Sequence, residues 1–445
     1  MRQIQSRQFF KKGLVLAVTT LMIGSVHAAT TDKQEIQQLR EEVQALKAMI
    51  QQQQQVQQQQ QVQIQQVKQQ PVQVAAAPAV APATSPLASL KSKAGSNVNL
   101  YGFVRADASY QAKGGNGIFN RINAVDLNGV SPNLGTEAKP NNVMNPNKDR
   151  FDSTVTTSRI GLDFVAPVQG ADVNGKIEID FRGGSSNDTV RLRHAYLNYN
   201  NWLIGQTTSS FLSGDSQPEM LDFNSALGIG TYRTPMVRYS HALDADTKLM
   251  VGLEQGNSNN RLPTATAQVK HNFDDKNGVV TARALVQETR ARLSNAGKEY
   301  NDQTEFSWGL AVGTKYKFTD QFSVTADYTH LKGDDKYMLY NADAYKVDTA
   351  RQDIDLIDLD AVSVGATYKI NPQLRTNIGY GAIFYDNQAK TTNKNDSLQQ
   401  GWLNVFYNPV KPITLGAEYV YGERETVDDR IGRDSRVGVM AKYDF

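Results

Sequence analysis

The sequence predicts an all-β fold: a 16-stranded antiparallel transmembrane β-barrel with a short N-terminal coiled-coil helix ahead of it. Three observations predict it. From about residue 97 onward apolar residues recur with a period of two, every second connection between these runs is short and turn-rich, and the last strand alternates up to Phe445.

Residues 1–28 carry Arg2, Arg7, Lys11 and Lys12, then the apolar run Leu14 to Ile23, then Val26-His27-Ala28 before Ala29. A basic start, a short apolar stretch and a small-residue site make the pattern of a secretory signal peptide. The run is too short for a permanent transmembrane helix, and no later stretch reaches 18 uncharged apolar residues. Four of the 47 Lys and Arg lie in this segment, leaving 43 against 45 Asp and Glu, so nucleic-acid binding gets no support. Cysteine is absent, which excludes disulfides, zinc–thiolate sites and cysteine nucleophiles. The histidines beyond the signal, at 194, 241, 271 and 330, lie too far apart for a helical metal motif, and neither a metal nor a cofactor is expected.

Residues 29–70 read as a periplasmic coiled coil. Ile36, Leu39, Val43, Leu46 and Ile50 recur at alternating spacings of three and four, with charged residues between. The register continues through Gln53, Gln57 and Gln60 and recovers Ile64 and Val67, so glutamine fills the core layers of a low-complexity tract and weakens them. The stretch 71–96, with Pro71, Pro78, Pro82 and Pro86 among alanines, reads as an extended linker.

Residues 97–445 read as the barrel. In Asn97 to Tyr110, Leu100, Val104 and Ala106 share one face, and Asn99, Arg105 and Asp107 the other. The last strand places Val437, Val439, Ala441, Tyr443 and Phe445 opposite Gly438, Met440, Lys442 and Asp444. A soluble sheet alternates in the same way, so the connections decide. Short turns such as Asn200-Asn201, Thr319-Asp320-Gln321 and Asn371-Pro372 alternate with long segments at roughly 111–153, 211–231, 289–302, 332–357, 386–397 and 424–432. Short turns at one end and long loops at the other suit periplasmic turns and extracellular loops.

The layout of signal, Gln-rich coiled coil, Pro/Ala linker and barrel resembles that of the DcaP-like trimeric outer-membrane porins. Its most telling residues are Leu100-Tyr101-Gly102-Phe103-Val104, Arg191-Leu192-Arg193-His194-Ala195-Tyr196 with Ile204-Gly205-Gln206-Thr207, and Tyr443-Asp444-Phe445. The resemblance covers the whole chain. It implies a homotrimer in the outer membrane, with a periplasmic coiled coil and a preference for small anionic solutes, dicarboxylates in particular.

Strand parity assigns the lumen face. It puts Arg105, Arg159, Arg182, Arg191, Arg193, Arg238, Arg283, Arg375 and Arg436 inside the barrel. Six of these share the last strand and the first four, which makes one basic wall, with Arg436 expected next to Arg105 across the closing seam. Neighbouring strands are about 4.8 Å apart, so one dianion can meet two guanidiniums. The bland alternative is a salt-bridged wall lining matched by Asp107, Asp163, Glu178, Asp180 and Glu418. Segment 211–231 combines seven apolar side chains with Asp215, Glu219 and Asp222, more than an exposed loop needs. It is expected to fold into the pore as a constriction, its carboxylates facing the arginine wall across a transverse field.

Arg150, Arg430 and Arg433 near the outer rim suit either lipopolysaccharide phosphates or the steering of anions to the mouth, and outer-membrane lipid is the expected surrounding. The acidic run Asp353, Asp355, Asp358 and Asp360 lacks the spacing and glycine of a calcium loop. Two other functions fit a barrel: a lipase- or protease-type enzyme, for which His194 is the candidate though its sequence neighbours imply no Ser or Asp partner, and a non-conducting periplasmic tether.

Overall fold

The computed structural model describes residues 90–93, 95–127, 147–295, 298–341, 343–348, 350, 352–386 and 394–445. The expected signal peptide and coiled coil, and most of the linker, lie outside the described residues.

Sixteen strands close into one barrel. β1 (Asn97–Lys113) is followed by β2, which runs as Arg150–Thr154 and Arg159–Ala166, then by β3 (Val173–Gly183), β4 (Thr189–Tyr199), β5 (Trp202–Thr208), β6 (Arg233–Ala242), β7 (Thr247–Glu254) and β8 (Thr264–Phe273). β9 (Gly278–Asn295), β10 (Lys298–Lys317), β11 (Phe322–Lys332), β12 (Asp358–Asn371), β13 (Leu374–Asp386), β14 (Asn395–Tyr407), β15 (Ile413–Thr426) and β16 (Ile431–Asp444) complete the wall. All neighbours pair antiparallel, and β16 pairs with β1, so no strand edge faces the membrane. Phe445 locks the seam by exchanging backbone hydrogen bonds with Gly102 at 3.0 and 3.2 Å. Only a glycine fits there, because a Cβ on residue 102 would lie 2.3 Å from the Arg159 carbonyl.

The period of two has its physical origin in the two solvents. Outward residues such as Val104, Ile204 and Leu403 are exposed to the surroundings, whereas inward Asp107, Asp180 and Ser363 are buried. Aromatic side chains gird the periplasmic end, where Trp202 stacks near Tyr239 and Phe273 near Tyr316, as rings with an apolar body and a polar edge do at a membrane interface.

Three features depart from the sequence reading. The segment 289–302, expected as a loop, is strand: β9 and β10 continue far past the other staves and are joined at 296–297. Here Ala291 and Leu293 point inward onto Ile354, while Arg290 on the outer face pairs with Asp302. Above the bilayer the outer face is wet, so polarity inverts while the phase persists. The last loop shrinks from 424–432 to 427–430. Finally, the seam register sets Arg105 opposite Lys442 and Arg436 opposite Gln111, so Arg436 stands six residues up the wall from Arg105 rather than beside it. The closing strands are shifted along each other, and parity alone carries no information on that shift.

The apolar core lies inside the barrel. Loop 1 (114–149) contributes Ile122 and Val125, loop 3 (209–232) Phe211, Leu212 and Leu227, and loop 6 (333–357) Tyr337 and Met338. They pack on inward residues of the far wall, including Leu285, Leu331, Ile383 and Leu398. Three loops therefore fold inward where the sequence indicated one.

Candidate functional site

Loop 3 leaves the end of β5 and crosses the lumen to the opposite wall. Its Phe211 and Leu212 carbonyls accept from Arg283 on β9 and Gln268 on β8, and Ser216 donates to Asp327 on β11. Further on, the Glu219 carbonyl accepts from Trp402 and Asn404 on β14, and the Leu221 and Asp222 amides donate to Glu418 on β15. Glycines on the wall make room: a Cβ on Gly381 would stand 2.1 Å from the Leu227 carbonyl, and one on Gly365 2.4 Å from Pro218. The loop thus lies against β8–β16, and the lumen that remains is bounded on its other side by β1–β6.

On that side the arginines gather around two carboxylates. Arg191 grips Asp180 through two parallel hydrogen bonds, at 2.9 and 2.6 Å. Arg193 bridges Glu178 at 2.7 Å and Asp180 at 2.8 Å. Arg159 approaches Glu178 at 3.4 Å, and Tyr101 donates to the same carboxylate. Arg182 makes no ion pair among the described residues; its guanidinium hydrogen-bonds Thr156 and stacks on Phe119 of loop 1 and Phe223 of loop 3, 4.9 and 5.8 Å from their centroids. Three guanidiniums on β2 and β4 thus meet two carboxylates, and Arg182 on β3 adds a fourth guanidinium that meets none. Arg182 also lines an outer vestibule of about 370 Å³ with Arg121 and Arg150.

A β-bulge at Arg193 shapes this cluster. Glu178 faces His194 while Ile179 faces Leu192, so Arg193 is the unopposed residue and both Arg193 and His194 enter the lumen. The signal was in the sequence: outward Val190 and Leu192 have even numbers, whereas outward Leu197 and Tyr199 have odd ones. His194 shares a hydrogen bond with Thr207 at 2.9 Å and lies 3.8 Å from Glu178, partners its sequence neighbours did not suggest.

Of the other predicted positions, all but Arg238 are neutralised by a local partner. Arg105 pairs with Asp107 on its own strand at 2.6 Å and donates to the Leu221 carbonyl. Arg283 pairs with Asp327 at 2.6 Å, both nearly fully buried. Arg238 points into the periplasmic half of the lumen and makes no ion pair among the described residues. The three loop carboxylates do not present one acidic face to the arginine wall. Asp222 binds Arg436 at 2.6 Å, Glu219 binds Arg375 on β13, and Asp215 binds Lys270 on β8. The physical reason is contact: a loop seated on the wall spends its carboxylates on the nearest cations instead of holding them across water. Around Arg436, moreover, Asp222, Asp434 and Glu418 are all buried, so the seam holds more acid than base and does not extend the basic wall.

The rim arginines separate. Arg150 lines the vestibule with Asp152 as its partner, whereas Arg433 is exposed on the outer face beside Glu423. Asp358 pairs with Lys332, and Asp360 with His330 and Tyr328. Arg121 and Phe119 escaped the sequence reading because they lie on a loop, where no periodicity assigns a direction. In loop 6, Asp334 accepts from the Lys336 and Tyr337 amides, and burial pushes its carboxyl up from 3.8 to about 6.

A closed 16-stranded barrel, aromatic-girdled and lipid-faced, with a loop folded across its lumen, defines an outer-membrane channel of the porin type. The model of the DcaP outer membrane protein family matches residues 30–445, and the chain belongs to that family. It is similar to the outer membrane channel DcaP of Acinetobacter baumannii, with 40% identity and a TM-score of 0.71 over 80% of this chain and 100% of that one. The anion-selective porin from Comamonas acidovorans shares the fold at 12% identity (TM-score 0.51; 79% of this chain, 100% of that one). OmpF of Salmonella typhi in complex with daunomycin does so at 13% (TM-score 0.52; 80% and 99%). Comparison with curated proteins finds no match. Family and fold place the chain in the bacterial outer membrane.

Proposed function

We propose that this channel lets small hydrophilic solutes diffuse passively and prefers anions, dicarboxylates in particular. The observation that carries the reading is the excess of guanidinium over carboxylate on β2–β4, on the side of the lumen that loop 3 leaves open. A cation there meets uncompensated like charge, whereas a dianion meets Arg182 and its neighbours at strand spacing and exchanges hydration for charge-assisted hydrogen bonds. Partial neutralisation by Glu178 and Asp180 keeps the affinity weak, which conduction requires.

A homotrimer fits the outer surface. The lipid-facing residues of β2–β5 are mainly aliphatic, with Ile160, Leu162, Ile177, Leu192 and Ile204 exposed, whereas on β10–β16 Phe and Tyr are as frequent as aliphatic residues. A flat aliphatic sector suits another copy of the chain, and Arg433 on the opposite side suits the phosphates of lipopolysaccharide.

The test is a set of reversal potentials in one planar bilayer with succinate, phthalate and a monocarboxylate. The dianions should permeate in preference to the monoanion, and any anion in preference to potassium. A cation preference would refute the reading.

A further inference from the structure

The geometry points to a second anion site at the periplasmic end of the lumen, built from Arg238 and Lys248, that takes a small oxyanion or a solute carboxylate as it leaves the channel. It is separate from the basic wall of β2–β4.

A cavity of about 410 Å³ opens there between the turns 167–172 and 200–201 and the inner faces of β3–β7. Register explains its floor. Asn174 faces Asn198, Asn198 faces Leu203, and Leu203 faces Arg238, so one row crosses four strands and ends on a guanidinium. Asn198 donates to Asn174 at 2.7 Å, which fixes the two amides and leaves the Asn174 donors without an acceptor among the described contacts. Lys248 and Ser240 close the cavity toward the periplasm.

Two facts mark this place. The Nε of Arg238 is buried and has no hydrogen-bond partner, a state it shares with Arg159 and Arg233. Arg159, however, has Glu178 at 3.4 Å, whereas Arg238 makes no ion pair among the described residues and lines a cavity with Lys248. A buried guanidinium donor left unmade is costly, and an oxyanion in the cavity supplies the missing acceptor. The nearby lysines are also unequal. Lys176 is taken by Asp163 at 3.2 Å and Lys270 by Asp215 at 2.8 Å, while Lys248, directly across from Lys270, makes no ion pair among the described residues. The one carboxylate in the lining, Asp172, is exposed at the rim, so the cavity keeps a net positive charge. An anion passing the wall of β2–β4 then meets a second station before the exit, which limits its return.

Sulfate is the probe. In a bilayer holding channels of one orientation, chloride current is recorded while sulfate is added to one side at a time. The site predicts block from the periplasmic side at lower concentration than from the outer side. It further predicts that Arg238→Gln with Lys248→Gln raises the periplasmic half-blocking concentration about tenfold and the outer one far less. Lys248→Gln alone, an exposed position that folding tolerates, should give a smaller shift of the same sidedness. Equal block from both sides in the wild type, or a periplasmic half-blocking concentration unmoved by both variants, overturns the proposal. The zero-current potential in a KCl gradient, read in the same bilayer, reports separately on the selectivity proposed above.

Discussion

The two sides of the lumen are made from the same residue types and end in opposite states. On β8–β16, Arg283, Arg375 and Arg436 each meet a carboxylate, and Arg283 and Arg436 are buried where loop 3 packs on the wall. On β2–β6, Arg182 and Arg238 meet none: Arg182 has the rings of Phe119 and Phe223 beside it, and Arg238 lines the periplasmic cavity. Placement inside the barrel therefore does not assign a role to an arginine. What assigns it is the partner within reach: Arg283, Arg375 and Arg436 each have a carboxylate at salt-bridge distance, whereas Arg182 has aromatic rings and keeps its charge for the solute.

The covered side breaks under single changes. Arg283→Met leaves Asp327 buried without its cation and should cost about 3–5 kcal/mol, whereas Arg283→Met with Asp327→Leu should come within about 1 kcal/mol of the wild type. Thermal unfolding of the folded barrel in detergent, followed by its gel mobility, measures both. A double variant as unstable as the single one would show that the pair is not the unit. Gly381→Val drives a side chain into the Leu227 carbonyl and should cost roughly 1–3 kcal/mol through displacement of loop 3. Its signature is a larger and noisier single-channel conductance; unchanged conductance would mean the loop does not define the constriction.

The uncovered side should respond in selectivity and not in stability. Arg182→Gln is expected to change stability by less than about 0.5 kcal/mol. It should lower the chloride-to-potassium permeability ratio roughly twofold, the scale of one screened charge. The smallest effect belongs to loop 6. Below about pH 4 Asp334 is protonated in folded and unfolded chain alike, and its burial costs nothing further. As pH rises through about 6 the folded loop must ionise a buried carboxyl, and stability is lost. Hydrogen exchange across residues 334–341 should accordingly quicken from pH 5 to pH 7.5 beyond its intrinsic trend, and Asp334→Asn should remove the excess.

Much of this was legible in the sequence, because each strand reports its own phase. The strand positions, the inward parity of the arginines and the inward course of 211–231 followed from period two and from apolar residues where a loop needs none. What escaped has physical causes. The continuation of β9 and β10 was hidden by Arg290 and Arg292, which look like loop residues because their outer face stands above the membrane. The seam offset between Arg105 and Arg436 is a relation between two ends of the chain, and no single strand encodes it. The partners of Asp215, Glu219 and Asp222 depend on where a long loop comes to rest, and so does the inward packing of Ile122 and Tyr337. The bulge at Arg193 could have been found, since the outward parity changes across it.

The central claim is that anion preference resides in the uncovered wall. Its most direct test is the zero-current potential in a KCl gradient, compared between Arg159→Gln/Arg182→Gln/Arg191→Gln and Arg283→Met/Asp327→Leu. The account predicts a chloride preference in the wild type, reduced several-fold by the first set of changes and untouched by the second. Equal loss in both, or a potassium preference in the wild type, would contradict it.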